Sequence, residues 1–373
     1  MQPAAVALCH EWLEQRMGSE KTFEAIAEAF PDADVFALTH DPSVPFDLGG
    51  RIPATTFVDR LAPLRGRRQL QLALMPLAWR FAGRPGYDVV VSSSHACAKG
   101  FRPGREALHL CYCYTPMRYA WLTDVDRRTR GGVVERASAV PLAALRAWDR
   151  RSAGWVDEFA AISRSVEARV ERFYGRPARV IHPPVDTGYY TPGPEEERGD
   201  FLLAVSRMVP YKRLDLAIDA AAALRVPLVV AGSGPEEARL RSHAAAAGAD
   251  VTFVIRPGDE TLRRLYRTAR ALVFPTVEDF GIVPVEAQAC GTPVVAVAEG
   301  GSLDTVLDGS TGVLVERAEG ELLVSGVERV LASPPRPAAC RAHAESFSRP
   351  RFVAEVREWV AKAAAARGLE LAG

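Results

Sequence analysis

The stretch Ala271–Val297, "ALVFPTVEDFGIVPVEAQACGTPVVAV", decides how the rest of the chain is read. It opens on four apolar residues closed by Pro275, the length of a buried strand. A polar loop with Glu278 follows. Pro284 then marks the expected start of a short helix, with Glu286 in its first turn and Gly291 at its end. "PVVAV" resumes as a second buried strand. Strand, helix and strand in succession make a parallel unit with a right-handed crossover.

Working outward, the same alternation recurs. Upstream lie "FLLAVSR", "LDLAIDAAAAL", "PLVVAGSG", "EEARLRSHAAAAG", "VTFVI" and "DETLRRLYRTA", read in turn as strand and helix. Near the start, "AAVALCH", "ADVFALTH" and "YDVVVSSSH" read as buried strands and "KTFEAIAEAF" as an amphipathic helix. Between these regions the chain is Arg- and Trp-rich and reads as mostly helical up to Tyr174. The proline-rich "ARVIHPPVDTGYYTPGPEEERGD" is the expected linker.

The fold expected is α/β: two doubly wound Rossmann-like domains facing each other across a cleft. Their expected limits are 1–190 and 191–345, with a closing helix in 346–373 that packs back toward the first domain. A length of 373 residues fits two domains.

Formal net charge is zero, so nothing global points to nucleic acid, and none is expected as a partner. Between Arg51 and Gly154, however, 18 Lys/Arg stand against 7 Asp/Glu. Such an excess attracts phosphates, acidic lipids or anionic substrates; an Arg-rich solvated surface is the plainer reading. The six cysteines show no Cys-x-x-Cys pair, and they read as reduced thiols of a cytoplasmic protein. No signal-peptide pattern and no membrane-spanning run is present in the sequence. The seven histidines lack zinc spacing, and no metal or other cofactor is expected.

In doubly wound domains ligands lie beyond the carboxyl ends of strands. Five places qualify. Gly18 in "RMGSEK" would let backbone N–H groups approach a phosphate, although a glycine there also serves as steric relief. Arg207, Lys212 and Arg213 in "SRMVPYKRLD" can hold a diphosphate. In "VVAGSGPEE", Gly232 and Gly234 follow a strand, but Glu237 replaces the third glycine of a dinucleotide fingerprint. Pro235 is expected at a helix N1 position, and a nicotinamide cofactor is disfavoured. The fourth place is the opening stretch. Its N–H groups near Gly281–Val283 make an anion-friendly nest, and the helix end would keep Glu286 ionised. The fifth is "CYCYTPMRYAW" from Cys111, a strand ending in an aromatic, polar turn that carries Tyr114 and Arg118.

Together these residues resemble a known family. "EDFGIVPVEAQACGTPVVA" and "SRMVPYKRLDLAI" are similar to the C-terminal domain of family 4 retaining glycosyltransferases of the GT-B fold. "YDVVVSSSHACAKG", "CYCYTPMRYAW", "WDRRSAGWVDEFAAISRSV" and "VIHPPVDT" extend the likeness to a bacterial subgroup of GDP-mannose-dependent mannosyltransferases of polysaccharide assembly.

The resemblance implies that Glu286 holds the ribose of a nucleotide sugar, with Glu278 near the sugar. The Phe280, Gly281, Ile282 and Val283 backbone would touch sugar and phosphate oxygens. Arg207 and Lys212 would neutralise the diphosphate, and Gly18 would admit it from the first domain. Gly232, Gly234, Arg256 and Tyr114 would complete the donor site, with His95, Lys99 and Arg118 on the acceptor side. It further implies retention of anomeric configuration by front-face attack, without a metal or an enzymic nucleophile.

Three positions depart from that pattern. Tyr114 stands where the subgroup usually has His, and a phenol does not become cationic near neutral pH. Met17 replaces one of a usual glycine pair, and Ile255 a usual glycine before Arg256. Donor alternatives therefore stay open: a UDP- or dTDP-sugar transferase acting on a soluble natural product, or a nucleotide-sugar epimerase. The acceptor is an unidentified hydroxyl compound. Arg60, Arg65, Arg67 and Arg68, set beside Leu, Met, Trp and Phe in "DRLAPLRGRRQLQLALMPLAWRF", are expected to touch an anionic membrane at its inner face and serve a lipid-linked acceptor. A core helix with a wet Arg face is the alternative.

Overall fold

The computed structural model describes residues 3–61, 71–83, 86–102, 104, 106–121, 133–194 and 198–371, with backbone only at 119 and 133–141. The chain divides into two units: 1–184 together with 352–373, and 185–351.

The first unit is built on seven parallel strands: β1 (Val6–Leu13), β2 (Asp34–His40), β3 (Ala54–Thr55), β4 (Val89–Ser94), β5 (Leu108–Cys113), β6 (Glu158–Ala161) and β7 (Ala178–Val180). Their order, β3-β2-β1-β4-β5-β6-β7, reverses direction between β1 and β4. Those central strands pair from Val6 against Val89 to His10 against Ser93. Both are buried along nearly their whole length, although β1 carries His10 and Glu11 and β4 ends in three serines. Trp12, Phe36, Trp79 and Phe101 pack on one face as a core.

The second unit repeats the plan with six strands: β8 (Leu202–Val205), β9 (Leu228–Gly232), β10 (Val251–Ile255), β11 (Ala271–Phe274), β12 (Val294–Val297) and β13 (Gly312–Val315). Their order is β10-β9-β8-β11-β12-β13, so the reversal lies between β8 and β11. Leu202, Ile218, Val230, Val273, Val295 and Val327 belong to its core. The quoted stretch is the β11–helix–β12 unit, paired in parallel from Leu272 against Val294.

Three expectations change in detail. The region up to Tyr174 is not helical throughout, because β6 lies between the helices Val133–Ala153 and Arg164–Tyr174. Four residues, "EFAA", are too short to show a period of two. The proline-rich segment is also more than a linker. Ala178–Val180 joins the first sheet as β7, and the chain from Val185 is bound into the second unit. There the Val185 amide donates to the Phe347 carbonyl at 2.8 Å, and Arg341 donates to the Thr187 and Tyr190 carbonyls at 2.8 and 2.6 Å. Those bonds set the division at 184/185 rather than 190/191.

At the other end, the helix Arg349–Ala365 belongs to the first unit from Phe352 onward. Trp359 donates to Glu158 at 2.9 Å, Arg357 donates to the Ala29 carbonyl at 2.7 Å, and Phe352 meets Tyr112 edge-on. Finally, Pro235 lies two residues ahead of its helix, Glu237–Ala246, rather than at its first position. The six cysteines are free and buried.

Candidate functional site

In an open parallel sheet, the crevice for a ligand forms where strand order reverses, because neighbouring loops there diverge to opposite faces. In the second unit that point is flanked by the loops after β8 and β11. The first carries Arg207 and Lys212; the second carries Glu278, Gly281 and Glu286.

After β8 the backbone makes a short turn at Pro210–Lys212, and Arg213 takes a left-handed conformation (φ 49°) before the helix Leu214–Leu224. This turn buries Lys212, 7% exposed, and directs its amine to the Glu278 carboxylate, with which it forms an ion pair. The ammonium also lies 4.9 Å from the centre of the Tyr211 ring. Arg207 is exposed and donates to the Tyr211 hydroxyl at 2.8 Å. Arg213 turns aside to Asp215, 3.3 Å away.

Gly232 and Gly234 hold that loop. A Cβ on Gly232 would stand 1.9 Å from the Ser206 carbonyl oxygen, and one on Gly234 2.3 Å from that of Met208. Only glycine allows such an approach. The close fit lets Ser206 and Met208 donate to the Ala231 and Ser233 carbonyls at 3.1 and 2.9 Å. Arg256, exposed at φ 50°, donates its amide to the Gly232 carbonyl at 3.0 Å. Gly232, Gly234 and Arg256 therefore belong to one connected set of strand-end loops.

After β11, Gly281 adopts φ 88° and caps a helix spanning Ile282–Ala289. The Ile282 and Val283 amides stand at its N-terminus, where helical N–H groups have no intrahelical acceptor. The helix starts two residues before Pro284, so Glu286 is its fifth residue and lies beyond the first turn, contrary to expectation. The left-handed glycine starts the helix earlier than the proline signal implied. Glu286 is half-buried, and its Oε2 accepts a hydrogen bond from the Tyr266 hydroxyl at 2.9 Å.

A glycine pair after β12, Gly300–Gly301, escaped the sequence reading. A Cβ at Gly300 would lie 2.4 Å from the Glu278 carbonyl oxygen, and one at Gly301 2.2 Å from the Phe280 Cα. The Gly301 amide donates to the Glu278 carbonyl at 2.8 Å. The pair thus sets the course of the loop carrying Glu278. Its signal in the sequence was a double glycine just past a buried strand.

In the first unit the reversal lies between β1 and β4. Gly18 is the first residue of the helix Gly18–Ala29, at the end of the loop after β1. Tyr114, 9% exposed, donates its hydroxyl proton to the Ser19 carbonyl at 2.8 Å and stands 2.9 Å from the Ser93 hydroxyl. Its single proton is therefore committed within the unit.

His95, after β4, is partly exposed, and its Nδ1 lies 3.4 Å from Glu11. Glu11 was not singled out in the sequence, yet it is fully buried and accepts from the Ser94 hydroxyl and the Ala96 and Ala98 amides, each at 2.9 Å. Burial alone would raise its pKa; His95, His10 and those amides hold it below the ordinary value instead. An acidic residue inside an apolar strand was the available signal.

Lys99, expected on the acceptor side, is buried and paired within the first unit. It is 2% exposed, with its amine 2.5 Å from Asp149 and donating to the Ala96 carbonyl at 2.9 Å. Asp149 also accepts from Trp121 and Tyr174. A buried ammonium paired in this way is bound into the core. Arg118 is half-buried on the helix Arg118–Trp121. Of the basic apolar segment, Arg65, Arg67 and Arg68 lie outside the described residues. Among the described residues, no cluster of three or more His, Cys, Asp or Glu could hold a metal ion.

Comparison with known proteins places this geometry. Residues 17–189 match the family model "Glycosyltransferase Family 4", and residues 192–347 match "Glycosyl transferases group 1". The chain belongs to the family 4 glycosyltransferases, and its two parallel α/β units are those of the GT-B fold.

Among curated relatives, it is 35% identical over 217 residues to a GDP-mannose-dependent alpha-(1-6)-phosphatidylinositol monomannoside mannosyltransferase of Mycolicibacterium smegmatis, covering 51% of this chain and 57% of that one. It is also 35% identical over 276 residues to a D-inositol 3-phosphate glycosyltransferase of Geodermatophilus obscurus, covering 66% and 59%. The chain thus spans about half the length of the curated relatives it matches. Among solved structures, sucrose-phosphate synthase from Thermosynechococcus elongatus superposes with a TM-score of 0.74 at 21% identity, over 96% of this chain and 99% of that one. Anabaena HepE in complex with UDP does so at 0.69 and 17%, over 97% and 100%. These likenesses show the fold.

Proposed function

We propose that the chain transfers a hexose, in the first instance mannose from GDP-mannose, to a hydroxyl acceptor with retention of anomeric configuration. The observation that carries this is the placement of Arg207 and Lys212 on one side of the β8/β11 reversal and of Glu278 and Glu286 on the other. Two cations supply charge for a diphosphate. Two carboxylates, in a loop and in the helix that follows it, supply acceptors for sugar and ribose hydroxyls.

In this reading the diphosphate takes Lys212 from Glu278, and Arg207 neutralises further phosphate charge. The acceptor oxygen bonds to the anomeric carbon on the face the phosphate leaves. The C–O bond to phosphate breaks, and the acceptor proton passes to a departing phosphate oxygen. The residues stabilise developing charge, so no covalent enzyme intermediate is required. GDP-mannose is favoured because a curated relative carries that donor in its name.

The acceptor we propose is a lipid-linked glycan at an anionic membrane surface. Leu61, Leu77 and Phe81 are exposed, at 40, 46 and 68%, in the segment that also holds Arg60 and Arg80. No helix among the described residues is long and apolar enough to cross a membrane. Sedimentation with anionic vesicles at low salt tests the membrane contact, and absence of binding overturns it.

A thermal-shift panel of GDP, UDP, ADP, dTDP and NAD tests the donor. A ligand at about 100 times its Kd adds roughly 2.7 kcal/mol of stability. GDP is expected to respond; a response to NAD alone overturns the nucleotide-sugar reading. With acceptor present, release of nucleoside diphosphate marks a transferase. An epimerised nucleotide sugar formed without acceptor marks an epimerase.

A further inference from the structure

Glu286 lies past the first turn of its helix, where the field of the helix end has largely decayed. One of its hydrogen bonds comes instead from a neighbouring helix. We propose that Tyr266 is a positioning residue that aims the Glu286 carboxylate at the ribose of the bound nucleotide. The proposal rests on reading this unit as the nucleotide site.

Tyr266 is fully buried on the helix Asp259–Thr268, and its hydroxyl donates to Glu286 Oε2 at 2.9 Å. A phenol has a single proton to give, and a bond given to a carboxylate favours the charged form of that carboxylate. Burial, followed by the negative charge of Glu286, pushes the Tyr266 phenol well above its ordinary value of 10. The phenol stays protonated, so the donor is constant at any working pH.

The ring cannot turn away. It meets Tyr190, 4% exposed, edge-on at 5.6 Å and 74°. The backbone carbonyl of Tyr266 accepts from the Thr292 hydroxyl. The neighbouring Arg267 donates to the Thr191 carbonyl and hydroxyl, each at 2.6 Å, and so holds the Tyr190–Thr191 segment on the same helix. A carboxylate has several lone-pair sites on two oxygens, so a fixed phenol and a ribose hydroxyl can share it. The plainer role of the contact is to tie two helices together. That role would affect stability and every nucleotide alike, whereas an aimed Glu286 affects only ligands that carry ribose hydroxyls.

Calorimetry on the full chain separates the two. The probes are GDP and UDP with their 2′,3′-dideoxy counterparts. Tyr266→Phe is expected to weaken the ribonucleotide that the wild type binds by about tenfold and to leave its dideoxy counterpart unchanged. Tyr190→Leu removes the brace while keeping the Tyr266 hydroxyl and the Glu286 carboxylate, and should give the same selective loss at about threefold. It carries the test if Tyr266→Phe does not fold. Equal weakening of both nucleotides, or of neither, overturns the proposal. A wild type that binds no nucleoside diphosphate overturns the nucleotide reading, and this proposal with it.

Discussion

The Lys212 ammonium and the Glu278 carboxylate form an ion pair across the reversal point of the second sheet, joining the loop after β8 to the loop after β11. Lys212 is nearly buried and Glu278 about a quarter exposed. In the proposed reaction a diphosphate that takes the Lys212 charge displaces that carboxylate, so the pair is expected to shape both affinity and turnover.

Glu278→Gln therefore separates binding from transfer. With its charged competitor gone, Lys212 should hold GDP several-fold more tightly, while sugar transfer falls by at least about tenfold. Calorimetry with GDP and a product assay with GDP-mannose measure the two. A weaker complex with GDP would mean that the carboxylate does not compete for Lys212.

Lys212→Ala should abolish transfer, with a loss on the order of a hundredfold or more in kcat/KM, as when one preorganised charge-stabilising group is removed. Glu278 is exposed enough to be hydrated once its partner is gone, so the melting temperature should move little. Full activity in this variant refutes the diphosphate role.

Lys99→Met tests the reassignment of Lys99 to the core. Removing one partner of a buried ion pair leaves Asp149 under-compensated and should cost roughly 3 kcal/mol of stability. Affinity for nucleotides should be unchanged. An unaltered stability together with lost turnover would restore Lys99 to the acceptor side.

Burial lowers the pKa of both His10 and His109 from 6.5 to about 4. Between those values the unfolded chain binds protons that the folded chain refuses. The stability is present above pH 6.5 and is lost as pH falls toward 4, by up to about 3 kcal/mol per histidine. His109→Gln should flatten that loss, as measured by urea unfolding at pH 7.5 and 5. Equal losses in wild type and variant would show that His109 is not buried neutral.

Much of the fold was legible in the sequence because parallel strands buried on both faces appear as short apolar runs. "VTFVI" matches β10 residue for residue, and "LDLAIDAAAAL" matches the helix Leu214–Leu224. β6 escaped because four residues carry too little periodicity. The candidate site was legible where chemistry concentrates on one loop, as at Arg207–Lys212 and Glu278–Glu286. Gly300–Gly301, Glu11 and Tyr266 were not, because each acts on a residue distant in sequence.

By itself the sequence determined the alternation of strands and helices, the two-domain plan and the charged residues at the strand ends, since these depend on local patterning. Only the tertiary structure decided what those residues do to one another. It paired Lys212 with Glu278, buried Lys99 against Asp149, committed the Tyr114 proton to Ser19, and replaced a helix end with a phenol as the partner of Glu286. Hydrogen bonds and ion pairs depend on distance in space, and strand order, which no local pattern encodes, sets those distances.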